Sequence, residues 1–243
     1  EGDRVRLNGT RVYTFLGQER NEQLFTLWES WRTSPDWNDL RRTPGLDCSG
    51  GNWRNEPQRT REVFVGLLGR LQPGLWYSQS DVIDAIKEVA PDFQRPTGDY
   101  DSWYIRNSTT KEFLKGFEHW DRVEGALLRF LCGPLYWLTA VSLAEPSAGD
   151  DLLLALSPLG AGWLGHSTSI PDEPARHPLV VGDDYTIRVP LGTPLTDRFR
   201  VERFAQWQSS YPQFVYQINQ RSLQRATGEG ITPQRIPVSY THL

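Results

Sequence analysis

Methionine is missing from all 243 residues, position 1 included, so the chain is expected to be a piece of a longer reading frame. Lysine is almost missing: Lys87, Lys111 and Lys115 are the only three, and none follows a glycine. That excludes a phosphate-cradling loop ending in Gly-Lys-Ser/Thr, and with it a nucleotide-hydrolysing motor of that kind within these residues. Positive charge falls to arginine, in keeping with a GC-rich coding bias. Cysteine occurs twice, at Cys48 and Cys132, without metal-type spacing. Both are expected to be plain buried thiols in a reducing, cytoplasmic compartment. No apolar run approaches the length of a bilayer and no N-terminal signal pattern is present, so no membrane partner is expected.

Chemistry-bearing motifs are missing as well. HExxH, paired CxxC and GxSxG do not occur, and three of the four histidines, His119, His166 and His177, are scattered along the chain. No metal or cofactor is therefore expected. Asp99 with Asp101, Asp150 with Asp151 and Asp183 with Asp184 sit in turn-like contexts, where carboxylates bond nearby backbone amides. They predict turns and no catalytic pair, so the chain is read as non-enzymatic.

What is present organises around Glu112 to Leu143. Phe113, Phe117, Trp120, Val123, Leu127, Phe130 and Leu131 recur at steps of three and four, which predicts an amphipathic helix. Gly133-Pro134 predicts its end. Tyr136, Leu138, Ala140 and Ser142 then alternate with Trp137, Thr139, Val141 and Leu143, as in a buried strand. A turn over Glu145 to Asp151 and a second apolar run, Leu152 to Leu156, complete a hairpin. Trp120 is expected to lie buried beneath it.

Upstream, Val12 to Gly17 reads as the end of an earlier unit, and Glu22 to Arg32 as a helix with Leu24, Leu27, Trp28 and Trp31 on one face. Thr43 to Pro57 reads as a loop with a domain boundary after residue 58. Thr60 to Leu71 is a helix burying Val63, Phe64, Leu67, Leu68 and Leu71, closed by Pro73-Gly74. Leu75 to Tyr77 is a short extended piece. Ser78 caps the next helix with Asp81 in capping-box position, and Val82, Ile83, Ile86 and Val89 face inward. Pro91 to Thr110 is a long insertion carrying Phe93, Tyr100, Trp103 and Tyr104. It is either a packed lid or a partner-contact surface. Helix, short strand, helix, helix, hairpin is the order of a winged helix.

Residues 166–177 read as a linker. Leu179 to Val181 and Thr186 to Val189 are short strands around a Gly-Asp-Asp turn. Thr196 is expected to cap a helix burying Val201, Phe204 and Ala205. Phe214 to Ile218 is a strand, and Asn219 caps a helix with Leu223 and Ala226. Thr232-Pro233 announces a further helix with no body, which reads as a truncation. The fold class is thus α+β. Residues 1–58 form a helical piece of an incomplete unit, 59–165 a winged-helix domain with a long inserted loop, and 178–237 a small α/β domain. Residues 238–243, VSYTHL, resemble the translation of a sequencing-library transposon end and are set aside.

Four stretches, PGLWYSQSDVIDAI, PDFQRPTGDYDSWY, GFEHWDRVEGALLRFL and GPLYWLTAVSLA, resemble a region of large bacterial proteins related to the N-terminal part of XPB-type helicases. LVVGDDYTIRVP, DRFRVERFAQW, FVYQINQRSLQRATGEGI and TPQRI resemble the domain known as "helicase conserved C-terminal domain". The resemblance covers roughly Arg59 to Pro237. It implies a DNA-repair or DNA-processing setting, with the ATPase motor either elsewhere or absent and DNA, a helicase motor or another protein as candidate partners.

Charge weighs against strong DNA binding by the winged helix. Residues 61–165 carry nine Lys/Arg against fourteen Asp/Glu, and the helix in the recognition position places Glu118, Asp121 and Glu124 beside Arg122 and Arg129. Phosphate contacts dominate affinity, and carboxylates there repel the backbone. Residues 166–237 are nearly balanced, eight basic against seven acidic, with Arg198, Arg200 and Arg203 close together. If DNA is bound, that arginine cluster is expected to contribute most, with Arg122 and Arg129 secondary. The alternative is a structural or protein-interaction module with no nucleic-acid role.

Overall fold

A computed structural model describes residues 8–95, 97–166, 169–173 and 175–231. The chain is α+β. Its elements are α1 (Gly9–Gly17), α2 (Arg20–Thr33), β1 (Leu46–Asp47), α3 (Pro57–Leu68), β2 (Tyr77–Ser78), α4 (Gln79–Val89) and β3 (Arg106–Asn107). There follow α5 (Trp120–Trp137), β4 (Val141–Ala144), β5 (Leu153–Leu156), α6 (Pro158–Trp163), β6 (Val180–Val181), β7 (Thr186–Val189), α7 (Leu195–Glu202), β8 (Gln206–Ser209), β9 (Phe214–Gln217) and α8 (Gln220–Gly228).

Two compact units result, Leu24–Pro171 and a second assembled from Glu1–Gln23 with Asp172–Leu243. This corrects the boundary expected after residue 58. Trp28, Leu40 and Cys48 belong to the same core as Phe64, Ile83, Trp120 and Leu131. The buried Arg61 guanidinium on α3 binds the carbonyls of Trp31, Ser34 and Trp37 and lies 3.5 Å from Asp39. A charge that far from water persists only where such partners surround it. The segment after α2 therefore folds onto α3. The expected helix start at Thr232 and the VSYTHL tail lie outside the described residues.

In the 24–171 unit, α4 begins as its sequence requires: the Ser78 hydroxyl accepts from Asp81 N at 3.1 Å. Val82, Ile83 and Ile86 are buried, whereas Val89, at the helix end, is exposed. β2 pairs antiparallel with β5, and β5 with β4, giving the order β2-β5-β4. The hairpin forms, but it is shorter than its sequence period suggested.

The reason is α5. The helix runs through Gly133-Pro134 to Trp137. Proline within a helix forfeits one hydrogen bond and crowds the preceding turn, at a cost of about 3 kcal/mol. Burial of Leu131, Pro134 and Leu135 around that point offsets it. The left-handed position expected of Gly133 is taken by Thr139, at φ 61. Ala140 N donates to Leu135 O at 2.8 Å and Thr139 N to Tyr136 O at 2.9 Å, a Schellman closure. Tyr136 and Trp137 thus end a helix instead of opening a strand. Phe113 and Phe117 precede it, Phe113 in a bridge with Arg106 and Phe117 in a single 3-10 turn. After the hairpin, α6 comes so close to the chain at Ala140 that a Cβ on Gly160 would lie 1.9 Å from the Ala140 carbonyl oxygen.

The insertion from Pro91 to Thr110, with the short segment that follows it, packs as a lid. Phe93, Tyr100, Ile105 and Leu114 are buried in the common core. Trp103 stacks on Trp53, with centroids 4.9 Å apart. β3 pairs with β1, Leu46 opposite Asn107. Trp120 is fully buried as expected, and its roof is the insertion: its indole N–H donates to Pro91 O at 2.9 Å and its ring meets Phe93 edge-on. Both cysteines are buried and free, and burial pushes the Cys48 thiol up to about 11.

In the other unit, α1 is capped by Asn8, whose side chain accepts from Arg11 N. The Gln23 amide donates to the carbonyls of Phe15 and Gln18 at the end of α1. The Glu173 carboxylate accepts from the N–H groups of Arg20 and Asn21 at 3.1 and 2.8 Å, capping α2 from far along the chain. Residues 8–23 thus pack with this unit. The sheet order is β6-β7-β9-β8, all antiparallel. Ile187, Val189 and Tyr216 on one face meet Val201, Phe204, Ala205 and Ala226. Asn219 and Ser222 form a reciprocal capping box on α8. Thr196 does not cap α7, which starts one residue earlier behind Pro194.

Candidate nucleic-acid interface

Successive residues of an α-helix turn by about 100°. On α7 this places Arg200 and Arg203, three apart, on one side and Arg198 across from them. Arg198 lays its guanidinium over Phe214, 4.1 Å from the ring centroid, a cation–π contact that fixes its direction. Arg200 lies 3.4 Å from Asp197, whose pKa is raised chiefly by burial against the pull of Arg200. Arg203 is exposed and forms no ion pair among the described residues. The three arginines that adjoin in sequence therefore do not make one patch.

A fourth basic group joins Arg203. Arg225 on α8 donates to the carbonyls of Glu202 and Ala205 at 2.7 and 2.9 Å, satisfying the open end of α7. The sequence offered no sign of it, because its partners lie about twenty residues away on another helix. Near the start of α7 lies an open cleft of about 560 Å³ lined by Arg20, Arg176 and Arg198, but also by Glu19, Glu173 and Asp197. Arg176 pairs with Glu19 there. Its charges cancel, which does not suit a phosphate.

In the other unit, Arg122 and Arg129 are seven residues apart and share one side of α5. Arg122 pairs with Glu112 at 3.0 Å, while Arg129 has no ion-pair partner among the described residues. Asp121 is paired with Lys87 at 2.8 Å. Glu124, expected beside these arginines on the surface, is instead buried, with its carboxylate 2.6 Å from the Arg95 guanidinium. Burial raises its pKa against the opposing pull of Arg95 and Gln94. The acidic character of the α5 surface is thus lower than the sequence implied.

Helix N-termini are natural phosphate sites, since their first N–H groups lack partners. That of α4 is already filled. Asp151, from the hairpin loop, accepts from Ser80 N and from the Ser80 and Ser78 hydroxyls. Those bonds hold its pKa below the usual range. The loop also carries Glu145 and Asp150, so it offers phosphate no welcome.

Among the described residues, no group of three or more His, Cys, Asp or Glu side chains is arranged to hold a metal ion. No helix among them is long and apolar enough to cross a membrane. The chain matches no family model and no curated protein. The resemblance to XPB-type helicase regions rests on the residues quoted above.

Proposed function

We propose that this chain is a non-catalytic, DNA-engaging or motor-docking region of a DNA repair or processing protein related to XPB-type helicases. In this reading α3 to β5 form a winged helix with a long insertion, and residues 178–231 a helicase-associated α/β domain. The observation that carries it is connectivity: α3, β2, α4, α5, β4 and β5 follow in winged-helix order, with β2 and β4 flanking β5. DNA contact is weak and independent of sequence, made mainly by Arg200 and Arg203 on one side of α7 with Arg225 nearby, while Arg198, held over Phe214 on the other side, adds less, and Arg122 and Arg129 are secondary. The acidic balance of 61–165 and the Asp151 carboxylate at the start of α4 favour a second reading, a protein-interaction module.

Titration with short duplex and single-stranded DNA at low salt separates the two. The first reading expects weak binding whose salt slope drops by roughly one for each phosphate contact removed in the Arg198→Ala/Arg200→Ala/Arg203→Ala variant. No binding to either DNA favours the interaction module. Sequence-specific binding lost on Arg122→Ala alone would return the recognition role to α5.

A further inference from the structure

We infer that the cleft between α8 and the start of β8 is a binding site for a phosphoryl group. The cleft is open, about 370 Å³ in volume, and is lined by Gln206, Arg221, Ser222 and Arg225. Arg221 and Arg225 stand four residues apart on α8, so they share one side of it. The DNA reading above supplies one carrier for the group, a backbone phosphate, and a free phosphate ester is the other.

Three of the four wall residues present donors that the fold leaves open. Arg225 commits Nη2 to the carbonyls of Glu202 and Ala205, which holds its guanidinium in place. Its Nε and Nη1 have no hydrogen-bond partner among the described residues. Arg221 is exposed and forms no hydrogen bond or ion pair among them. Gln206 Oε1 accepts from Asn219 Nδ2 at 2.8 Å, which leaves the Gln206 NH2 as an open donor. Only the Ser222 hydroxyl is closed off, in the capping box with Asn219. Guanidinium forks match pairs of oxygens on an anion. Two forks and an amide offer more donors than the two oxygens of a carboxylate can accept, and a phosphoryl group has the further oxygens.

The charges around the cleft agree. No carboxylate lines it. Glu202 follows Arg198 by four residues and falls with it on the other side of α7. Asp197 is held by Arg200 at the start of that helix. Glu229 lies at the far end of α8 and forms no ion pair among the described residues. Arg203, exposed at the end of α7, adds to the positive field. The larger cleft at the start of α7 differs on this point, since its carboxylates match its guanidiniums.

The test titrates the whole isotope-labelled chain with sodium phosphate and follows the arginine Nε–Hε signals by nuclear magnetic resonance. Sodium acetate and sodium chloride at matched ionic strength are the controls. We expect saturable shifts of Arg221 and Arg225 with a Kd on the order of 1 mM, and binding about tenfold weaker in Arg221→Ala. Arg221 has no partner to lose, so the variant should keep the wild-type melting temperature. Shifts that are absent up to about 0.1 M phosphate, undiminished in Arg221→Ala, or reproduced by acetate or chloride overturn the inference.

Short duplex DNA at low salt then identifies the carrier. A salt slope lowered by about one in Arg221→Ala assigns the phosphoryl group to the backbone. Phosphate binding without that change in slope makes the carrier a free ester and leaves the site standing. If the chain also binds no DNA, the DNA reading falls and the site does not. DNA binding without any phosphate shift does the reverse.

Discussion

Glu124 on α5 and Arg95 in the insertion are 2.6 Å apart, with both side chains almost wholly shielded from solvent. Their contact bolts the lid to the helix beneath it. Glu124 Oε1 also accepts from Gln94, while Oε2 has no hydrogen-bond partner. Removing one member of a buried pair strands the other, at about 3–5 kcal/mol. Glu124→Leu should lose stability on that scale in urea melts, and Arg95→Met/Glu124→Leu should recover most of it. The raised carboxyl pKa means the folded chain holds this proton more tightly than the unfolded chain. The contribution is therefore fully present below the ordinary carboxylate range and is lost as pH rises through the raised value. The wild-type advantage over Glu124→Gln should shrink accordingly as pH rises from the ordinary carboxylate range through the raised value, and an advantage growing with pH would contradict this.

Asp151 has the opposite sign. Its pKa is depressed, first by the Ser78 hydroxyl and then by Ser80. Its contribution is present above the ordinary aspartate pKa and lost as pH falls through the depressed value. Asp151→Ala should lower the melting temperature at neutral pH, and the gap between variant and wild type should close only in strong acid. A gap that persists undiminished there would show that the carboxylate does not act through its charge.

Trp120 joins the lid to the core through its ring and its N–H. Truncating a large buried aromatic costs about 3–5 kcal/mol. Trp120→Ala should leave the 24–171 unit largely unfolded by near-ultraviolet dichroism. An unchanged melting temperature would mean that the lid, not the indole, supplies the packing.

Signals confined to a few residues were legible in the sequence. The Ser78 and Asn219 caps, Phe64 and Leu68 on the buried face of α3, Val82, Ile83 and Ile86 on that of α4, and the β6–β7 turn all depend on neighbours within about four positions. The helix, short strand, helix, helix, hairpin order of elements followed from them. What failed was decided across the fold. Gly133-Pro134 is a stop signal in isolation, yet burial of the surrounding leucines carried α5 past it. β8, Gln-Trp-Gln-Ser, has no apolar alternation because it is a sheet edge with one large side chain, and it passed unseen. Glu124 looked like surface because its partner lies 29 residues upstream. The arginines of α7 were read as a cluster because sequence proximity ignores the helical turn. Arg225 was overlooked for the converse reason.

The carboxylate that caps α2 has a bearing on how the chain matures. Glu173 lies 152 residues after Asn21, so the first helices leave the ribosome long before their partner exists. At ~5–20 residues per second the wait is roughly 8–30 s. The core of the Leu24–Pro171 unit, by contrast, is complete before Glu173 is translated. The opening segment meets its partners only after the tail of the same unit is translated.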